Sequence, residues 1–394
     1  MDILNKMHFN SMALEGLSFE ISDENFSEMV SENGGRFEDK TIPCKPHPYF
    51  IEKALDDQIA SDFKVLHGAI EKVVSQYQSD QSIRDYLWFP EKFNQTVGID
   101  FGLGTNVVFC RFDFALNNKL PQIYEFNAAC PGGLQSVKAL YQSMEKLGLI
   151  NQLEDKINRT LQPYPVNVKP MFVELVKMVF ERAKQNKLIP LSLDFEDITV
   201  GLLNSKDHTL KNELASFKND LESAGIKCLI SHIEDLTYDE EGVYVGKTKL
   251  DLCFHKFDHV GHHADFETPI CKLQSDLAPY LKAIQERKVV GFCPFQSMFV
   301  AENKALMALL KDPAFNYLFE EHELKVIDKV LPETFVLNKN NLREFQERKN
   351  EFVLKKTLDT RGRSVIVGPE VTKDEWCSSL DRALEDNVLY IVQK

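Results

Sequence analysis

From Tyr49 to Tyr77 the apolar residues Leu55, Ile59, Phe63, Leu66, Ile70, Val73 and Tyr77 recur at spacings of three and four. That interval matches the helical repeat and predicts a long amphipathic helix with one buried face. A shorter helical piece leads to Trp88-Phe89-Pro90, and the run Val97–Phe101 follows. The glycines of GIDFGLGTN lack the Lys-Ser/Thr pair and spacing of a phosphate loop and read as turn chemistry. Two apolar runs, Val107–Cys110 and Gln122–Phe126, then flank an Asn-Asn-Lys turn and predict a β-hairpin.

Residues 134–186 are mostly helical in pattern, with Val137–Leu147 and, after a Pro-rich link at 162–170, Met171–Ala183. The pattern changes near residue 196. Ile198–Leu203 is a buried-strand run, Leu210, Leu214, Phe217 and Leu221 mark a helix face, Gly225 ends it, and Ile226–Ile230 is a second strand. Strand, helix and strand in succession predict a small open α/β domain with a parallel sheet. Val243–Val245 and Lys249–Phe254 add strands, and Leu277–Arg287 adds a helix. VVGFCPF is a strand ended by Pro294, and SMFVAENKALMALL is one compact helix with Leu306, Leu309 and Leu310 on its apolar face. EFVLKKTLDTRGRSVIVG reads as strand, flexible loop, strand. Thr372 with Glu375 forms a capping box opening a helix that carries Trp376, Leu380 and Leu384, and Val388–Val392 is the last strand. Residues 1–45, polar and acidic with an Asn-Gly-Gly break, are expected to wrap the surface or to be partly loose.

A chain of 394 residues is long enough for two or three domains and a substantial core. Its formal charge of −14 argues against a general nucleic-acid or anionic-membrane binder, since both depend on a basic surface. No apolar run approaches the length of a membrane span, and MDILNKMHFNSMALEGL lacks the basic region and apolar block of a secretion signal. The 8 cysteines are scattered singly, which reads as reduced thiols in a cytoplasmic compartment. Cys130 has no histidine near it in sequence and is assigned to packing. His255, His259, His262 and His263 crowd one stretch without the spacing of a tetrahedral zinc site. A solvated loop or anion-binding edge is the preferred reading there, with a metal-binding module as the alternative.

The candidate chemistry lies on the hairpin. Side chains two apart on a strand share a face, so Arg111 goes with Asp113, and Glu125 with Asn127. Two carboxylates and a carboxamide oxygen are hard ligands of the kind Mg²⁺ takes together with substrate phosphates. The same alternation also describes a solvated sheet face. The following AACPGG ends the strand and lets backbone approach a ligand closely.

These pieces together resemble the ATP-grasp ligases, in particular the synthetase domain of the glutathionylspermidine synthase type, in which the metal-binding hairpin precedes the lysine-bearing strands. The motifs occur in the same order: Arg111-x-Asp113, Glu125-x-Asn127 with a Pro-Gly turn, Asn303-Lys304-Ala-Leu, Leu331-Pro332-x-Thr334, FVLKK at 352–356, and TRGRSVIVG in the place of the phosphate-covering loop. Tyr390–Gln393 matches the hinge strand, and there the chain stops. The resemblance implies an α/β (α+β) fold of four parts. These are an N-terminal tail and helical region (1–94), the hairpin part of the ATP-grasp (95–150), a small α/β substrate domain (151–289), and a lysine-bearing lobe ending at the hinge (290–394).

By the same resemblance, Asp113, Glu125 and Asn127 would hold Mg²⁺ on the phosphates of ATP, and Arg111 would face the reacting carboxylate or the transferred phosphoryl. Lys304 and Lys355 would bind phosphates, Gln393 would lie near the adenine, and Arg361 and Arg363 around Gly362 would clamp phosphates from the loop. Strand neighbours point oppositely, so of Lys355 and Lys356 only one faces the nucleotide, and the match favours Lys355. The implied activity is ATP-dependent joining of a small-molecule carboxylate to an amine, with neither nucleic acid nor membrane as partner. The second reading is a nucleotide-binding or interaction protein without catalysis.

Overall fold

The computed structural model describes residues 21–37, 40–46, 51–89, 91–117, 120–128, 131–157, 160–161, 168–206, 211–256, 277–359, 362 and 364–394. Helices α1 (Asp23–Glu32), α2 (Lys53–Gln76), α3 (Gln81–Leu87) and α4 (Glu91–Val97) precede the hairpin of β1 (Arg111–Asn117) and β2 (Leu120–Asn127). Three helices follow, α5 (Leu134–Lys146), α6 (Leu149–Ile157) and α7 (Val168–Gln185). Then come β3 (Thr199–Asn204), α8 (Lys211–Ser223) and β4 (Lys227–His232). A small antiparallel set, β5 (Leu236–Asp239), β6 (Gly242–Val245) and β7 (Thr248–Lys249), leads into β8 (Leu252–His255), α9 (Ala278–Gln285) and β9 (Val290–Gly291). The remainder is α10 (Ala305–Lys311), α11 (Glu321–Val330), β10 (Thr334–Val336), α12 (Leu342–Glu347), β11 (Val353–Lys356), β12 (Ile366–Val367), α13 (Lys373–Glu385) and β13 (Tyr390–Gln393).

Two sheets frame the molecule. The first has the order β9-β8-β3-β4 with every pair parallel, so the strand–helix–strand unit expected from the sequence is present. Leu214, Phe217 and Leu221 of α8 cover one face, where Phe172 of α7 stacks on Phe217 at 3.9 Å between ring centres. The second sheet has the antiparallel order β10-β13-β11-β12. Beneath it Trp376, Leu380, Phe345 and Phe352 form a separate core, and the Trp376 indole donates to the Phe345 carbonyl at 2.8 Å. The central core draws on residues from Leu66 to Ile391, so it joins helices, hairpin and both sheets. Among the described residues no helix is long and apolar enough to cross a membrane.

Four expectations need correction. Val107–Cys110 is not a strand. The Glu71 carboxylate takes the N–H groups of Asn106 and Val107 (2.8 and 2.6 Å) and His67 Nε2 lies 2.9 Å from the Val107 carbonyl, so α2 side chains satisfy that backbone. Lys249–Phe254 is not one strand either. The Asp251 carboxylate accepts from Thr199 N at 2.8 Å and divides the run between two sheets. Residues 297–310 are not one helix: Ser297–Ala301 is a π-helical turn, and α10 starts afresh beyond Asn303, whose side chain accepts from Ala305 N at 2.9 Å. Finally, the N-terminal region is not only a surface wrap, since Phe26 and Val30 of α1 are buried against Ala139 and Met144 of α5.

The glycines of GIDFGLGTN do serve turns, with Gly102 and Gly104 at φ 76° and 67°. The capping box of Thr372 and Glu375 forms as expected, with both reciprocal bonds present. Gly368 is required for a different reason, close approach. A methyl group there would overlap the Lys349 carbonyl oxygen and stand 2.7 Å from that of Phe352. Gly368→Ala is therefore expected to lower stability by roughly 1–3 kcal/mol, seen as a lower urea midpoint at unchanged slope.

Candidate functional site

The hairpin register pairs Arg111 with Asn127 and Asp113 with Glu125, which puts all four polar side chains on one face. The other face carries Phe112, Phe114 and Phe126. Phe63 of α2 meets Phe112 and Phe114 edge-on at 5.0 and 5.2 Å. Burial of that aromatic face against the helix decides which side the polar residues take. Pairing jumps from Asp113–Glu125 to Phe114–Ile123, leaving Tyr124 as an extra residue in a bulge.

On the polar face Arg111 grips Asp113 with two bonds of 2.7 and 3.0 Å and donates a third to the Gly132 carbonyl at 2.7 Å. Asn127 donates to the same Asp113 carboxylate at 3.3 Å. Glu125 faces Lys304, with ammonium and carboxylate 3.0 Å apart. Lys304 also donates to the Asp359 carbonyl at 2.6 Å, at the root of the loop expected to cover phosphates. Lys355 approaches from β11, donating to the Tyr124 carbonyl at 3.1 Å and to Gln393 at 2.5 Å. The bulge frees that carbonyl from the ladder. Lys356 points away to Asp386 at 3.1 Å, so the alternation expected for the adjacent lysines is present.

The sequence-predicted residues Arg111, Asp113, Glu125, Asn127, Lys304, Lys355 and Gln393 thus converge. Gln393 does so from beneath: it is 2% exposed, and its amide nitrogen donates to Thr334 at 3.1 Å. Gly362 is exposed and in the left-handed region at φ 68°. Arg361, Arg363 and Cys130 lie outside the described residues, as do His259, His262 and His263. His255 is not in a solvated loop. It is fully buried beside Phe295, Phe101 and Tyr280, and burial pushes its imidazole down to about 3.

Sequence reasoning singled out neither Ser297 nor Glu302, which fix the cluster. Ala128, next to Asn127, donates its N–H to Glu302 at 2.8 Å, and its carbonyl accepts from Ser297. Both partners flank or belong to the π-helical turn, a feature often found where a helix is reshaped for function. Asn303, 1% exposed, anchors Lys304 by donating to the Leu87 carbonyl at 3.3 Å. The only sequence signal for Ser297 and Glu302 was polar residues interrupting an apolar run, whereas Asn303 belongs to the Asn303-Lys304-Ala-Leu motif.

Burial first and the like charge of Lys304 second press the Lys355 ammonium down to about 8, against the pull of Glu125. Among the described residues no group of three or more His, Cys, Asp or Glu side chains is arranged to hold a metal. The donor set of Asp113, Glu125 and the Asn127 carboxamide still has the oxygen chemistry that suits Mg²⁺. Each carboxylate is here engaged by a cation, Arg111 or Lys304.

Fold and cluster define a mixed α/β protein with a parallel sheet, in which two lysines and an arginine meet a carboxylate-bearing hairpin face. No protein-family model matches the chain, and no curated protein does.

Proposed function

We propose that the protein is an ATP-dependent carboxylate–amine ligase of the ATP-grasp type. The observation that carries this reading is the meeting of Lys304 and Lys355, from separate elements, with the Glu125 end of the hairpin. A carboxylate is a poor electrophile, because attack on it must expel oxide. Attack by its oxygen on the γ-phosphorus of ATP releases ADP and forms an acyl phosphate. Attack by an amine on the acyl carbon then expels inorganic phosphate, and the nitrogen loses a proton. Little covalent help is needed from the chain; it has to position the reactants and neutralise charge.

In this reading Lys304 and Lys355 bind phosphate oxygens, and Arg111 faces the reacting carboxylate. Asp113, Glu125 and Asn127 would hold Mg²⁺, which supplies Lewis-acid neutralisation of the phosphates when bound. The Asp359 end of the loop, tied to Lys304, would carry the cover that excludes water. The reading without catalysis has its own support, because Arg111–Asp113 and Lys304–Glu125 already form closed ion pairs. Calorimetry with ATP and Mg²⁺, combined with an ADP-release screen over carboxylic acids and amines, separates the two. Nucleotide binding with no ADP from any pair overturns the ligase.

The low proton affinity of Lys355 makes a sharper test. At pH 8 about half the molecules carry a neutral Lys355 amine, and a polyphosphate beside it restores the charge. Binding of ATP at that pH is expected to take up roughly half a proton, with little uptake near pH 6, where the amine is already charged. Titrations in two buffers of different ionisation enthalpy measure this, and Lys355→Met should abolish it. In the free protein Lys355 binds more protons in the unfolded chain between about 8 and the ordinary 10.5, so the contribution of Lys355 to stability, lost in the Lys355→Met variant, should rise with pH across that window.

A further inference from the structure

Strands β8, β3 and β4 end side by side, and their carboxyl edge carries polar groups for which the hairpin chemistry has no use. Asn204 pairs in register with His232, and Leu203 with His255. Lys256 continues the ladder, its N–H donating to the Leu203 carbonyl at 2.7 Å. Registered neighbours share a face, so Asn204, His232 and Lys256 project together towards the side covered by α8. The Lys256 ammonium indeed reaches the Glu213 carboxylate on that helix. Asn204 is 1% exposed, yet its Oδ1 has no partner among the described residues, and neither does the buried Nδ1 of His232. Buried polar atoms are nearly always satisfied, so two unfilled ones at this edge point to a group from outside the chain. It is also the edge at which open parallel sheets receive small ligands.

The edge adjoins the hairpin. Gly133 N donates to Glu213 at 2.9 Å, and the neighbouring Gly132 carbonyl accepts from Arg111 at 2.7 Å. A side chain on Gly132 would begin 3.2 Å from the Lys256 ammonium and 3.5 Å from the Glu213 carboxylate, so glycine lets this pair pack against the turn that follows the hairpin. Lys256 is itself buried and Glu213 largely so, with side chains 3% and 12% exposed.

We propose that this edge binds a small zwitterion, a free amino acid, with its ammonium donating to Asn204 and His232 beside Glu213 and its carboxylate against Lys256. A lone anion would leave Asn204 unfilled, and a simple amine would bring a cation against Lys256. A ligand with both charges answers both. Calling it the amine substrate rests on the ligase reading, whereas the binding does not.

Calorimetric titration of the full chain without nucleotide tests this, using glycine, β-alanine and glutamate, with acetate and ethylamine as single-charge controls. At least one amino acid is expected to bind, and Asn204→Leu should weaken it about tenfold or more while ATP affinity stays unchanged. Should Asn204→Leu fail to fold, Glu213→Gln keeps shape at the start of α8 and should weaken the same ligand. Binding by no amino acid, equal binding by acetate or ethylamine, or an unchanged Kd in the folded variant overturns the proposal. ATP binding without amino-acid binding removes this site and leaves the ligase reading; amino-acid binding without ATP binding does the reverse.

Discussion

Replacing Glu125 with alanine is expected to cut substrate-dependent ADP release by about a hundredfold or more. Glu125 lies opposite Asp113 on the polar face and holds the Lys304 ammonium at 3.0 Å. Its loss removes one oxygen donor and also releases a lysine whose side chain is only 8% exposed. In the ligase reading both effects act on the charge that grows at the transferred phosphoryl. Glu125→Gln retains the shape and an oxygen acceptor, so it should fall between wild type and alanine. The assay is ADP release with a carboxylate and amine pair found in the screen, read beside the far-ultraviolet spectrum to establish folding. Near-normal turnover by a folded Glu125→Ala protein would show that the polar face is a solvated surface.

The largest expected effect on stability is that of Trp376→Ala. Trp376 is fully buried at the centre of the core beneath the antiparallel sheet, and its indole satisfies the Phe345 carbonyl. Truncation removes the largest side chain of that core, leaves a cavity and orphans an acceptor. The cost is about 3–5 kcal/mol, a large share of the roughly 5–15 kcal/mol that holds a typical domain folded. Leu354 and Val392 of the same core alternate with Lys355 and Gln393 on β11 and β13. Loosening it should therefore also disturb the placement of Lys355. Thermal unfolding and the proton uptake on ATP binding should both change. An unaltered melting temperature would mean that this core does not govern the folding of the lobe.

Much of the architecture was legible from neighbours along the chain. The helix Lys53–Gln76 follows from apolar spacing, and the capping box at Thr372 from a bond within one turn. The parallel β3–α8–β4 unit follows from two apolar runs around a helical one. The strand period likewise made the polar set on the hairpin readable, and it separated Lys355 from Lys356. Where the reading failed, side chains had replaced ladder or helix bonds. Glu71 took the backbone of Val107, Asp251 that of Thr199, and Asn303 that of Ala305 and Leu87.

The sequence by itself therefore determined the elements and the residue types that each face offers, because side-chain direction follows from backbone period. Tertiary structure alone decided that Lys304 meets Glu125, that a bulge at Tyr124 opens a carbonyl to Lys355, and that Asn204 ends beside His232 and Lys256. Those contacts join residues far apart along the chain. They depend on how the cores pack, which no local periodicity encodes.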